Sequence, residues 1–314
     1  MEFVRGIEHF KAPQEGVVAT IGNFDGVHMG HRALIKRMVS YGQEHGLASL
    51  VMIFEPQPLE FFAPEKAPTR LFSFPDKADK LAGLSVDYVL LLPFNETFSE
   101  QTPEQFIVDL LVNGSAVKHL IIGDDFRFGK NRKGDFSLLQ KAGQQYGFSV
   151  EDTQSILHSN LRVSSTRIRQ TLETGDFKQA EALLGAPYSM KGEVIHGKAL
   201  GRTINVPTAN ISTKRLKSPL QGVFAVSWQD EQGDNYQGIA NLGTRPTVDG
   251  EGELLEVHLF DCDKDLYGRI ATVTFLKKLR NEQRFSDFEL LKIQIGKDIE
   301  QAQAFFKCYA QNGN

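Results

Sequence analysis

Residues 16–31 read GVVATIGNFDGVHMGH: an apolar run of strand length, a glycine-rich turn and the opening of a helix. From His31 to His45 the apolar positions Leu34, Met38 and Tyr41, flanked by Ile35 and Val39, recur at helical spacing, and Gly46 supplies a stop. No other stretch constrains the fold as tightly, because a buried strand turning directly into a helix belongs to a layered α/β architecture. Such a turn is also an anion site, since free backbone N–H groups and the helix dipole face the same point. It lacks the Gly-Lys-Ser/Thr ending of a Walker A loop and the spacing of GxGxxG. It offers instead His28 and His31, three apart and so on one side of the helix start, with Gly30 between them leaving room for a phosphate. Imidazole N–H donors there suit an ATP α-phosphate on which charge builds during a displacement. Gly22, Asn23, Phe24 and Asp25 are further candidates for nucleotide contact. The competing reading is a helix start with two incidental surface histidines. Zinc is disfavoured, because the zincin pattern is His-Glu-x-x-His with a third ligand.

The alternation continues through the first half. Residues 50–54, 86–94 and 117–123 are apolar runs of strand length. Between the last two, Thr102-Pro103-Glu104-Gln105 combines an N-cap, a proline at the first helical position and a capping-box glutamine, opening a helix to about Val112. Strands alternating with helices imply a parallel sheet, whose ligands bind beyond the carboxyl ends of its strands. The pattern changes near Gly185-Ala186-Pro187. Two short helices, 166–173 and 177–184, precede it. The runs 188–195, 222–228, 236–241, 254–260 and 270–276 follow with no helix among them, which implies an antiparallel barrel or sandwich. A last helix opens with a capping box at Ser286-Asp287-Phe288-Glu289 and carries Phe288, Leu291, Ile295, Ile299 and Phe306 on one face. At 314 residues, two domains are expected, 1–185 and 186–314.

With 35 basic and 39 acidic side chains, the net charge of −4 predicts no bulk attraction to nucleic acid or to an anionic membrane. Cys262 and Cys308 form no CxxC pair and are expected to be reduced thiols. No run is apolar and long enough for a signal peptide or a membrane span, so a cytoplasmic protein is expected. No pattern points to a protein partner.

Three motifs now stand in order: GNFDGVHMGH, Gly123-Asp124-Asp125-Phe126-Arg127-Phe128-Gly129 and Ser164-Ser165-Thr166-Arg167-Ile168-Arg169. Together they resemble the N-terminal module of the bacterial bifunctional riboflavin kinase/FAD synthetase family, one of the HxGH nucleotidyltransferases. The resemblance implies a Rossmann-like domain that transfers AMP from ATP to FMN and releases pyrophosphate. In the third motif, Ser164, Ser165 and Thr166 at a helix N-cap are candidate phosphate donors, with Arg167 and Arg169 in the first turn. By itself the motif reads better as a plain serine cap. Asp125 offers a carboxylate, and Phe126 and Phe128 aromatic faces, to a flavin or adenine ring; a turn aspartate with two core phenylalanines is the alternative.

In the second half, Pro207-Thr208-Ala209-Asn210 places Thr208 and Asn210 on one side of an extended segment. Hydroxyl and amide oxygens are hard neutral ligands suited to Mg²⁺ carried on ATP phosphates, and Gly192, Gly197 and Gly201 allow close backbone approach. Taken alone, a proline-led strand start explains the same residues. Glu256 alternates onto one strand face with His258 and Phe260 and is a candidate base for a hydroxyl proton, or else part of a solvated polar face. With residues 222–224, 241–247 and 266–268 in order, this half resembles the riboflavin kinase barrel. The resemblance implies γ-phosphate transfer to riboflavin, with Thr208 and Asn210 holding Mg·ATP, Glu256 as base and Arg284 near the flavin. Phe224 stands where the family commonly has tyrosine, and His196-Gly197-Lys198-Ala199 where it is often richer in Gly and Arg. The substrates expected are ATP, riboflavin and FMN. Two other readings remain: an HxGH enzyme with a different acceptor, or a non-catalytic flavin-binding module.

Overall fold

The computed structural model describes residues 1–153, 157–159, 161–197, 206–213, 217–247 and 250–311. The chain divides into two compact units, Met1–Pro68 with Lys77–Ser164, and Thr69–Asp76 with Ser165–Asn314.

In the first unit, β1 (Glu2–Arg5), β2 (Val17–Ile21), β3 (Ala48–Glu55), β4 (Tyr88–Pro93), β5 (Val117–Gly123) and β6 (Ser149–Thr153) form one parallel sheet in the order β1-β4-β3-β2-β5-β6. Every residue of β2 is buried, as a central strand covered on both faces requires. Val17, Ala19 and Ile21 pack to one side with Leu50 and Met52. Val18 packs to the other with Val51 and with Ile35 and Met38 of helix α1 (Met29–His45). The sequence did not announce β1 and β6, because they are the sheet's edges. Val4 is the one buried residue of β1, and β6 reads SVEDT with none. The strand order reverses between β2 and β5. Their carboxyl ends, Ile21 and Gly123, therefore flank the switch point where such sheets bind ligands. Beyond β6, the short strands β7 (Leu157–His158) and β8 (Leu161–Arg162) pair as a hairpin.

The capping box at Thr102 is formed: Gln105 N–H donates to the Thr102 hydroxyl, and Thr102 N–H to the Gln105 side chain. After one turn the helix widens to π winding over Phe106–Gly114, in place of the plain α-helix expected to about Val112.

In the second unit, β9 (Ser189–Ile195), β10 (Ala209–Ser212), β11 (Gly222–Asp230), β12 (Asn235–Thr247), β13 (Gly250–Leu259) and β14 (Ile270–Arg280) close into an antiparallel barrel, order β10-β13-β12-β11-β14-β9. The barrel, not the sandwich, is the outcome. Phe224, Val226 and Trp228 alternate inward with Val257, Val273 and Phe275, and all are buried. Phe177, on the helix Phe177–Leu184, stacks on Phe275 and meets Phe224 edge-on. Phe224 is thus fully buried against two other phenylalanine rings.

The last helix, Phe288–Gln311, lays Ala302 and Phe306 on Ala225 and Ile239. Its start differs from expectation in two ways. Asp287, not Ser286, caps it, accepting from Leu290 N–H at 2.9 Å, and Phe288 is exposed. The helix is also pinned by Asp298, which is buried and accepts from Nε and Nη2 of Arg280 on β14 and from Gln294. Removing one partner of such a pair strands the other, so Asp298→Ala is expected to cost the barrel about 3 kcal/mol. Trp228, the chain's one tryptophan, reports this unit. Its fluorescence should show the urea midpoint falling by about 1 M or more, and an unchanged midpoint would contradict the pinning role. No helix among the described residues is long and apolar enough to cross a membrane.

Candidate active sites

Beyond β2 the chain turns through Phe24 (φ 46°), Gly26 (φ 91°) and Val27 (φ 39°). Positive φ is strained for Phe and more so for a β-branched Val. Burial of both side chains in the core beside α1 offsets that strain and fixes the loop. Asp25 is buried with them, whereas Asn23 is exposed.

His28 is the N-cap of α1, and its Nδ1 accepts the His31 backbone N–H at 3.3 Å. An accepting Nδ1 carries no hydrogen, so the neutral ring presents Nε2–H as its donor. The His28 and His31 rings stack at 3.6 Å between centroids and 15° between planes, and Phe24 meets His31 edge-on. A Cβ at Gly30 would lie 3.2 Å from the His28 ring. Glycine at this position lets the His28 ring pack close against the start of α1.

Burial lowers the His28 pKa from 6.5 to about 4, with the Arg162 charge adding to the effect. Burial, then the charges of His28 and Lys77, pushes His31 well below its ordinary range. Both rings are neutral donors near pH 7. Because the unfolded chain holds the His28 proton more readily, stability falls as pH drops through the window from 6.5 to about 4. Between pH 7 and 5 this one group costs about 2 kcal/mol. Urea unfolding followed by circular dichroism should show it, and His28→Asn, which keeps a capping side chain, should lose that share. Equal pH dependence in the two proteins would contradict it.

At the end of β5, Asp124 and Asp125 both accept from Arg162 of β8, at 3.1 and 3.2 Å, and the Asp125 carboxylate is largely exposed. Phe126 and Phe128 stack at 5.7 Å. They line a cleft of about 470 Å³ with Phe54, Phe62, Phe94 and Phe98. Phe54 and Phe94 lie at the carboxyl ends of β3 and β4. Aromatic residues at or just beyond the ends of β3, β4 and β5 thus meet in one cleft, though β2 lies between β3 and β5 in the sheet. The Val163 carbonyl passes 3.8 Å from where a Gly30 Cβ would stand, and Ser164 follows, partly buried. The next helix, Ser165–Thr174, begins with Thr166 exposed and Arg167 partly buried. Arg169 Nε donates to the Thr69 carbonyl at 2.6 Å, a structural bond the sequence did not foretell.

On the barrel, β10 runs between β9 and β13 and sets Asn210 opposite Glu256. On the other side of β13, Asn241 stands opposite Glu256 and its amide donates to Oε2 at 3.5 Å. Leu255, Val257 and Leu259 are buried, so Glu256, His258 and Phe260 share the other face as the alternation predicts. His258 Nδ1–H donates to the Pro207 carbonyl at 2.8 Å and ties the partly buried Thr208 segment to that face. Gly197 packs directly on Asn210: a Cβ there would fall 2.0 Å from the Asn210 side-chain amide and displace it. A Cβ at Gly192 would meet the Ser212 carbonyl at 2.4 Å, so that glycine serves β9–β10 packing. Gly201, with residues 198–205, lies outside the described residues. Arg284 is exposed in the loop after β14. Asn241 and His258 border this candidate site and were not singled out from the sequence.

Thr208 and Asn210 supply hard oxygens beside a carboxylate, a donor set that fits a magnesium ion sharing its shell with nucleotide phosphates. Among the described residues, no group of three His, Cys, Asp or Glu side chains is placed to hold a metal by itself.

Family models for FAD synthetase and riboflavin kinase match residues 10–167 and 184–306. The bifunctional riboflavin kinase/FMN adenylyltransferase of Escherichia coli (strain K12) is 50% identical over 98% of both chains. That of Haemophilus influenzae is 46% identical over 98% of this chain and 99% of its own. A crystal structure called a macrolide-efflux protein, from Streptococcus pneumoniae, is 28% identical, with a TM-score of 0.76 over 94% of this chain and 97% of the other. From the parallel sheet through the closed barrel to the last helix, this chain belongs to the bifunctional riboflavin kinase/FAD synthetase family.

Proposed function

We propose that this enzyme, a riboflavin kinase and FMN adenylyltransferase in one chain, runs its two reactions at two separate sites, within domains 1–185 and 186–314. Both are in-line displacements that need positioning and charge stabilisation rather than a covalent intermediate.

In adenylyl transfer, the FMN phosphate attacks the α-phosphorus of ATP and pyrophosphate leaves. His28 and His31 donate to the α-phosphate oxygens as charge builds, which electrostatic stabilisation favours in a buried, preorganised site. The observation that carries this reading is the neutral, stacked imidazole pair at the start of α1, beyond the switch point. The Gly22–Asp25 turn and the α1 N-terminus receive the other phosphates, aided by Ser164. Phe126 and Phe128, in the aromatic cleft, take the flavin ring, and Asp125 faces its polar edge.

In the kinase reaction, Glu256 accepts the proton of the riboflavin 5′-hydroxyl as that oxygen attacks the γ-phosphorus of ATP, and ADP leaves. Asn210 and Asn241 on either side hold the carboxylate in place. Thr208 and Asn210 would hold Mg²⁺, whose charge would be available to neutralise the phosphates, and Arg284 reaches the flavin. We place the enzyme in the cytoplasm with small-molecule partners alone.

Purified protein given riboflavin, ATP and Mg²⁺ should produce FMN and then FAD, separable by chromatography, and excess EDTA should stop both steps. FMN without FAD would remove the adenylylation reading in favour of another acceptor. Unchanged riboflavin would favour a flavin binder.

A further inference from the structure

One charged group beneath the N-terminal site has no part in the chemistry above. Lys77, on the helix Phe74–Ala82, is fully buried. Its Nζ donates to the Asn23 carbonyl, in the phosphate loop, at 2.8 Å. Leu81 of the same helix packs in the core that holds Phe24 and Val27, so the helix backs the loop directly. Taking an ammonium group out of water is costly, and an apolar residue would fill this place at lower cost. Its position under an anion-binding turn gives it work that an apolar residue cannot do.

We propose that Lys77 is a positioning residue for adenylyl transfer: its ammonium fixes the Asn23 carbonyl, orients the loop N–H groups for the phosphates, and adds positive potential from below. The inference rests on the phosphate-loop reading given above. Holding the carbonyl down commits the strained Phe24–Val27 turn to one geometry before substrate arrives. In a low-dielectric site the charge acts beyond its own hydrogen bond. The Lys77 charge also opposes protonation of His31, after burial and the neighbouring His28. The stacked rings then stay neutral, as two imidazolium rings at 3.6 Å could not.

The test compares Lys77→Met, Lys77→Gln and Lys77→Arg in the full chain, with the kinase reaction as internal control for folding and His28→Ala in parallel. Lys77→Met should lower kcat for FAD formation about 100-fold, the scale of a small misplacement in a reacting geometry, with KM for FMN little changed. Lys77→Gln keeps a donor for the Asn23 carbonyl without the charge. It should retain more activity, yet move the acidic limb of the pH–rate profile upward as His31 gains proton affinity. Lys77→Arg should restore the wild-type limb. A structural role alone would lower activity without moving the limb. If the methionine variant loses both reactions, the glutamine variant decides on its limb position. Wild-type kcat and an unmoved limb in the variants, with His28→Ala inactive in FAD formation, would overturn the inference and leave the site reading standing. Full FAD formation by His28→Ala would overturn the site reading itself.

Discussion

His28→Ala is expected to lower FAD formation by about 10³-fold and to leave riboflavin phosphorylation unchanged. Removing one preorganised donor from a developing oxyanion typically costs 10²–10³ in kcat. Here the substitution removes more than a donor. The ring also caps α1, accepts the His31 N–H and stacks against the second imidazole. Losing a cap costs about 1 kcal/mol of helix stability, which does not account for a thousandfold loss of rate. His28→Asn separates the two contributions, because asparagine caps well and has no imidazole. It should restore the helix start without restoring FAD formation. Steady-state rates with FMN as acceptor read the first reaction, and rates with riboflavin the second. An asparagine variant with near wild-type FAD formation would show that the cap, and not the donor, matters.

Glu256→Gln should do the reverse. General-base catalysis contributes about 10² to 10⁴, so FMN formation should fall to that extent while FAD formation from supplied FMN continues. The substitution is nearly isosteric. The side chain would still sit between Asn210 and Asn241, on a strand whose buried neighbours Leu255 and Val257 are untouched. Tryptophan fluorescence from Trp228 should therefore report an unchanged barrel. A glutamine variant that keeps full kinase activity would return Glu256 to an ordinary polar strand face.

Much of this was legible in the sequence because each feature was local. The strand, the glycine turn and helix α1 lie within one stretch of chain, and period alone places His28 and His31 on one side. Period two on β13 likewise puts Glu256 with His258. What the sequence withheld was long-range. Asn241 reaches Glu256 through strand register, and His258 reaches Pro207 across 51 positions. Lys77 sits 54 residues from the loop carbonyl it holds, on a helix with no motif to mark it. The aromatic cleft draws on three strand ends, and no window of sequence contains them together. Edge strands β1 and β6 hid for the opposite reason: an edge needs few apolar residues, so it shows little period. Gly30 stands out by its motif, but its physical reason, the proximity of the His28 ring, lies in the packing at the start of α1.

Two independent sites in one chain can be tested by mixing variants. His28→Ala alone, given riboflavin, ATP and Mg²⁺, should stop at FMN, and Glu256→Gln alone should make almost nothing. Combined in one tube they should make FAD from riboflavin, because FMN released by the first protein is a substrate for the second. Absence of FAD from the mixture, while each variant retains its own remaining reaction, would contradict two sites joined by a diffusing intermediate.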